Sequence, residues 1–355
     1  MMASLLSRRI LSPLVSGKGF KQIAPLLSRK IEAPRHDESR RDIHKSLYED
    51  DFISGFGQES SSDSSLVEGK IFVNRRVEYG TRRFYKGKVK AAIFDWGGTV
   101  VDAGVCAPIL AYIELFKEEG VEITEDEARA PMGTKSNIHL GKILEKEAVR
   151  KRWMRAKNGQ EPTEADIQRM VQKFIPQVLS SLQKYSNVIE GVTETVSLLR
   201  KSPYNIRIGS TTGYPSNVLN VLLNASRSQG FVPDASVCLS EVPAAKPSPY
   251  MLWTCATRLS VFPIEAIVKV DDSVNGIHEG LLAGSWAVGI AKTSSYVGLT
   301  EPQMREVPTD ELNRRINRAY KHLSNSGAHY VIDTIRDLPH VIDDINRRLA
   351  KGEKP

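Results

Sequence analysis

From residue 89 onward, short apolar runs alternate with longer segments of helical period. The runs are VKAAIFD (89–95), NIRIGSTT (205–212), ASVCLS (235–240), AIVKVDD (266–272), WAVGIA (286–291) and AHYVID (328–333). Runs of this length, rich in β-branched residues and separated by helical patterns, predict parallel strands joined by crossover helices. The predicted fold class is therefore α/β, a doubly wound parallel sheet. Residues 96–204 interrupt that alternation with a pattern that is helical throughout. In TEADIQRMVQKFIPQVLSSL (163–182), Ile167, Met170, Val171, Phe174, Val178 and Leu182 share one face. Thr163 with Asp166, and earlier Thr124 with Glu127, carry the spacing of a capping box. An insertion this long is no loop, so it predicts a small helical cap domain after the first strand. The expected organisation is a core of 89–110 and 190–350, a cap of 111–189, and two segments ahead of them, 1–30 and 31–88.

Charge changes the picture at the N-terminus. The 355-residue chain has a net charge of +7. Residues 1–30 hold Arg8, Arg9, Lys18, Lys21, Arg29 and Lys30 with no acid, so the remainder is close to neutral. Leu and Ile interleaved with Arg, Lys and Ser give this opening the pattern of a mitochondrial or plastid presequence, with the mitochondrial matrix as the expected destination. A near-neutral remainder argues against direct nucleic-acid binding. No apolar run reaches the roughly 18 residues a membrane span requires. Residues 31–88 are polar, with a Ser-rich patch at 59–65 and basic clusters at 74–88, and read as a disordered linker or partner-binding arm. Three cysteines without CxxC spacing support neither a zinc site nor a disulfide framework.

In open parallel sheets ligands gather at the carboxyl ends of the strands, so polar residues that end strands converge. Here the first strand ends in Asp95, with Thr99 four residues on. The second ends in Ser210, Thr211 and Thr212, the loop after the third carries Lys246, and the fourth ends in Asp271 and Asp272. A carboxylate, hydroxyls, an amine and a second carboxylate make the inventory for covalent phosphoryl transfer. Asp95 is the candidate nucleophile. A magnesium ion between Asp95 and Asp272 would offset their repulsion, and Lys246 with Thr211 would neutralise phosphoryl oxygens. Gly97 and Gly98 would let the backbone approach the phosphate with amides toward it.

These residues resemble the four motifs of the haloacid dehalogenase superfamily. FDWGGTVVDAGVCAP, DEARAPMG (126–133), PTEADIQ (162–168), IGSTTGY (208–214), GLTEPQM (298–304) and GAHYVIDT (327–334) further resemble the phosphonoacetaldehyde hydrolase (phosphonatase) family across nearly all of 89–345. The resemblance implies a Mg2+-dependent hydrolase that splits phosphonoacetaldehyde into acetaldehyde and phosphate through an aspartyl phosphate. Asp95, the Gly97 carbonyl and Asp272 would hold the metal, and Thr99, Ser210, Thr211 and Lys246 would surround the phosphate. Met132 and His139 match family residues near the substrate. Most superfamily phosphatases keep an acid two residues after the nucleophile, to protonate an oxygen leaving group. The phosphonatases have a small residue there, as Gly97 is here, and use a cap lysine that forms a Schiff base with the aldehyde.

The chain departs from the family at that lysine, whose position is held by Ser136. Lys135, one place earlier, is the candidate imine former, with an ordinary exposed lysine as the alternative. Lys246 stands where phosphonatases have arginine. The family motif has a glycine before the metal aspartate and an acid four residues after it, where this chain has Asp271 and Gly276. Two other functions stay open: a phosphatase for another small organophosphate, and an impaired member retained as a subunit of a mitochondrial assembly such as the ribosome. The resemblance also allows a homodimer.

Overall fold

The computed structural model describes residues 85–132 and 135–355. The expected presequence (1–30) and nearly all of the expected arm (31–88) lie outside the described residues. All six apolar runs form strands: β1 Ala91–Phe94, β2 Arg207–Thr212, β3 Ala235–Cys238, β4 Ile267–Asp271, β5 Trp286–Ile290 and β6 Tyr330–Ile332. Among the described residues the insertion after β1 forms five helices: α1 Cys106–Glu118, α2 Glu125–Arg129, α3 Ser136–Leu144, α4 Glu147–Ala156 and α5 Glu164–Tyr185. The crossover helices follow: α6 Val192–Arg200 before β2, α7 Ser216–Ser228 after it, α8 Tyr250–Arg258 before β4 and α9 Val274–Ala283 after β4. The chain ends with α10 Glu301–Glu306 and α11 Thr309–Asn325 before β6, and α12 Leu338–Ala350 after it.

The sheet is parallel throughout, in the order β3-β2-β1-β4-β5-β6. β1, β4 and β5 are buried along their whole length, as strands covered on both faces must be. Strand order reverses between β1 and β4, and that switch point opens a crevice at their carboxyl ends. Register fixes what meets there. Phe94 lies level with Ser210 on one side and Val270 on the other. The next residue, Asp95, is tied to β4 by its amide on the Val270 carbonyl at 2.9 Å. Nucleophile candidate and acidic pair therefore share one level.

The inserted helices form for the reasons their sequence gives. Thr163 accepts from the Asp166 amide, and the Asp166 carboxylate accepts from the Thr163 amide at 2.9 Å, closing the capping box that starts α5. Thr124 and Glu127 do the same for α2. Met170, Phe174, Val178 and Leu182 of α5 are buried, each burial contributing about 1.5–3 kcal/mol. They join a single apolar cluster that continues through Leu115 and Phe116 of α1 to Val100 and Phe94 beside the sheet. Glu119, nearly buried, binds Lys157 at 2.7 Å and Arg169 at 2.9 Å, joining the ends of α1 and α4 to α5. These ion pairs line a cleft of about 870 Å3, which contains none of the strand-end residues. Among the described residues no helix is long and apolar enough to cross a membrane.

Candidate active site

The strand ends converge as the sheet topology requires. Lys246, from the loop after β3, donates to Asp95 Oδ1 and to Asp271 Oδ2, the latter at 2.7 Å. Ligand atoms of Asp95, Asp271 and Asp272 lie within 4.8 Å of one another, the one such acidic group found among the described residues. Trp96, which separates Asp95 from the glycines, is fully buried with its ring edge-on to Phe231, centroids 5.6 Å apart. It anchors the loop while Asp95 stays at the crevice. Gly98 has φ +73°, and a Cβ there would lie 2.6 Å from Asp272 Oδ2, so the close approach of loop and carboxylate needs glycine.

The three acids differ electrostatically. Burial, then repulsion from Asp271, raises Asp95 to about 6 against the pull of Lys246 and Lys269. Asp272 is driven well above the carboxylate range by burial and then by Asp271 and Asp95. Burial would raise Asp271 as well, but Lys246 and Lys269 overcome it and hold that group at about 2. Lys246 is pushed above its ordinary value: burial opposes its charge, and Asp271 and Asp95 more than compensate.

Asp271 is engaged at both oxygens. Oδ1 accepts from the Ser273 amide at 3.0 Å and hydroxyl at 2.7 Å; Oδ2 accepts from Lys246 and pairs with Lys269 at 3.3 Å. It is an anchor for lysines, a role the sequence reading did not assign it. Asp272 accepts the Ser295 amide at Oδ2, 2.9 Å, and Asp95 accepts Lys246 at Oδ1. These two carboxylates are therefore the better placed to offer oxygens to a cation. The charge balance fits one. With all four carboxyls ionised, Asp95, Asp271, Asp272 and the buried Glu279 against Lys246 and Lys269 leave two negative charges; a divalent ion would offset them and favour the ionised form of Asp95 and Asp272.

The remaining candidates are distributed less simply. Ser210 Oγ pairs with Ser236 Oγ of β3 at 2.7 Å. Thr211 is buried, its hydroxyl accepting from Lys269 at 2.6 Å and donating to Glu279 at 3.4 Å. The hydroxyl at the very end of β2 is that of Thr212, which accepts the Tyr214 amide at 3.2 Å. A count of strand positions, with alternate residues facing opposite ways, could have singled it out. Thr99 is fully buried with an unpartnered hydroxyl, and it lines a separate cavity of about 140 Å3 with Lys292, Thr293 and Met304. The Gly98 amide, expected to face phosphate, instead donates to the Val101 carbonyl at 2.8 Å.

In the inserted helices, His139 is buried, and its Nε2 donates to the Ala128 carbonyl at 2.7 Å. Burial lowers it to about 4, so it is neutral at pH 7. Its ring stacks on Tyr112 at 4.0 Å, and Tyr112 stacks in turn on Phe174 at 4.5 Å. Met132 is half-buried against the apolar cluster. Lys135 is exposed at the N-cap of α3. Ser136, in the position where the resemblance calls for lysine, is half-buried and hydrogen-bonded to the Tyr112 side chain. Burial raises the Tyr214 phenol far above its ordinary value, and the neighbouring ionisable groups Asp102, Tyr112, Asp95 and Asp272 add to the rise. Tyr214 thus relates the inserted helices to the strand ends.

A family model, haloacid dehalogenase-like hydrolase, matches residues 89–284. A phosphonoacetaldehyde hydrolase of Paraburkholderia phytofirmans is 42% identical over 267 residues, covering 75% of this chain and 99% of that protein. The chain belongs to the phosphonoacetaldehyde hydrolase family of haloacid dehalogenase-like hydrolases. A phosphonoacetaldehyde hydrolase-like protein of Syntrophobacter fumaroxidans is 40% identical over 271 residues, covering 76% of this chain and 97% of that one. A solved structure of a phosphonoacetaldehyde hydrolase-like protein from Oleispira antarctica aligns with a TM-score of 0.71 at 39% identity, covering 77% of this chain and 98% of its own. Haloacid dehalogenase-like hydrolases generally use Mg2+, and the acidic cluster suits that ion.

Proposed function

We propose that the protein is a Mg2+-dependent hydrolase that cleaves the carbon–phosphorus bond of phosphonoacetaldehyde, giving acetaldehyde and phosphate. The observation that carries this is the convergence of Asp95, Lys246 and Asp272 at the switch point with no acid beside them at position 97. A Cβ at Gly97 would meet only the Val105 side chain, at 3.7 Å, so crowding at the Cβ does not by itself account for glycine there. An oxygen leaving group would need a proton donor there, whereas a carbon leaving group needs an electron sink.

In this mechanism Asp95 Oδ attacks phosphorus and the phosphorus–carbon bond breaks. An aspartyl phosphate results, and water then hydrolyses it to free phosphate. Lys246 places its ammonium against the phosphoryl oxygens and is held for that task by Asp271. Asp95, Asp272 and the Gly97 carbonyl would hold the metal, which supplies charge neutralisation for two anions brought together. Lys135 is the amine assigned to the aldehyde: condensation with loss of water gives a protonated imine, C–P cleavage leaves the carbon's electron pair in an enamine, and protonation at that carbon followed by hydrolysis frees acetaldehyde and Lys135. The inserted helices serve as the cap that excludes water.

A second reading is favoured by Ser136 and Tyr112. Two hydroxyls meet where the family's amine is expected, and Lys135 is exposed. That arrangement suits an organophosphate whose hydrolysis needs no imine. One experiment separates the two: incubation with Mg2+ and phosphonoacetaldehyde, phosphate assay, and borohydride trapping followed by peptide mapping. Phosphate release with a reduced adduct on Lys135 supports the first. Release from phosphomonoesters alone, without an adduct, overturns it. We further propose that the acid-free opening segment directs the chain to the mitochondrial matrix; failure of residues 1–30 to carry a reporter into isolated mitochondria would remove that assignment.

A further inference from the structure

Lys269 and Glu279 lie outside every strand-end motif, yet both are completely buried and ionisable. Lys269, on β4 two residues before Asp271, sends its ammonium to Thr211 Oγ1 at 2.6 Å, to Glu279 Oε2 at 2.8 Å and to Asp271 Oδ2 at 3.3 Å. Glu279, on α9, takes that ammonium and the Thr211 proton at Oε2, while its Oε1 has no partner. Helix α9 lies close against the stem of Lys269: a Cβ at Gly280 would come within 2.9 Å of Lys269 Cβ.

Burying two charges costs more than their attraction returns, so an apolar pair of the same volume would fill this space at less cost. What the charges supply is placement. Asp271 Oδ2 is shared between Lys246 and Lys269, so Lys269 fixes the carboxylate that aims Lys246 at Asp95. Thr211 fixes the end of β2 from the same ammonium. We propose that the Lys269–Glu279 pair is a positioning element: through Asp271 and Thr211 it holds Lys246 and the β2 end in the geometry that grips a phosphoryl group. This rests on the functional assignment above only in that the site takes phosphate.

The test compares wild type with Lys269→Met, Glu279→Gln and the double variant Lys269→Met/Glu279→Gln. Inorganic phosphate binding in Mg2+ is measured by calorimetry, and thermal stability alongside it. Each single change leaves an unpaired buried charge or a misdirected donor, so both lower stability. The double variant removes both charges and recovers stability. A merely structural pair would recover phosphate affinity with it; a positioning pair leaves the affinity of the double variant about tenfold or more below wild type. Wild-type affinity in a stable double variant overturns the proposal, as does a wild type that binds no phosphate. A wild type that binds phosphate but releases none from phosphonoacetaldehyde overturns the functional assignment instead and leaves this comparison intact.

Discussion

Substituting Gly276 tests how the acidic cluster is built. A Cβ on Gly276 would lie 1.8 Å from Asp271 Cγ, so Gly276→Ala cannot coexist with Asp271 in its observed position. Alanine in the first turns of α9 would by itself favour the helix by about 1 kcal/mol. Displacing Asp271 breaks its contacts with Lys246, Lys269 and Ser273, and disrupting a buried ion pair costs about 3–5 kcal/mol. The loss wins, leaving a net destabilisation of about 2–4 kcal/mol, or roughly 5–15 °C in Tm. Activity should fall further than stability explains, by about 100-fold, because Lys246 loses the carboxylate that aims it. The assay is thermal unfolding together with Mg2+-dependent phosphate release. Asp271→Gly/Gly276→Asp should restore part of both losses, since the vacated space takes an acid reaching in from the helix. A Gly276→Ala protein with wild-type stability and turnover would refute the reasoning.

Asp95→Asn should abolish phosphate release while leaving Tm unchanged or higher, because a buried carboxyl already raised to about 6 is relieved of its charge. Chelation should lower Tm and Mg2+ restore it, as the acids at the switch point regain a counter-ion; calorimetric scans with and without EDTA read this. Asp102 is raised to about 7, chiefly by burial and against the Ala107 and Cys106 amides that it accepts. A carboxyl raised on folding binds its proton more tightly in the native state, so stability falls as pH climbs from about 4 to 7, by at most about 1.4 kcal/mol per unit. Urea unfolding of Asp102→Asn should show a shallower fall over that range than wild type, the remainder coming from Asp95 and Asp272, which are also raised. Thr163→Ala should cost about 1 kcal/mol through loss of the capping box on α5.

Six strands, the helical insertion and both capping boxes were legible because each depends on local period and cap chemistry alone. The convergence of Asp95, Lys246 and Asp272 was legible too, since a parallel sheet sends its strand ends to one edge. What the sequence did not disclose is how each polar side chain spends its hydrogen bonds. Thr211 reads as a phosphate ligand until Lys269 and Glu279, far apart in the chain, are seen to occupy its hydroxyl. Asp271 and Gly276 read as two departures from a family pattern, and the structure joins them: the absent side chain of one makes room for the carboxylate of the other. Such pairings are set by tertiary packing and have no period to betray them.

The place of β1 in the sheet has one more consequence. It is flanked by β2 and β4, with two strands on its left and three on its right, so it is among the last to lose its neighbours when the edges fray. Amide exchange should be slowest there. Heat that loosens the margins of the sheet would then leave Asp95 seated, and inactivation would follow the collapse of the whole molecule.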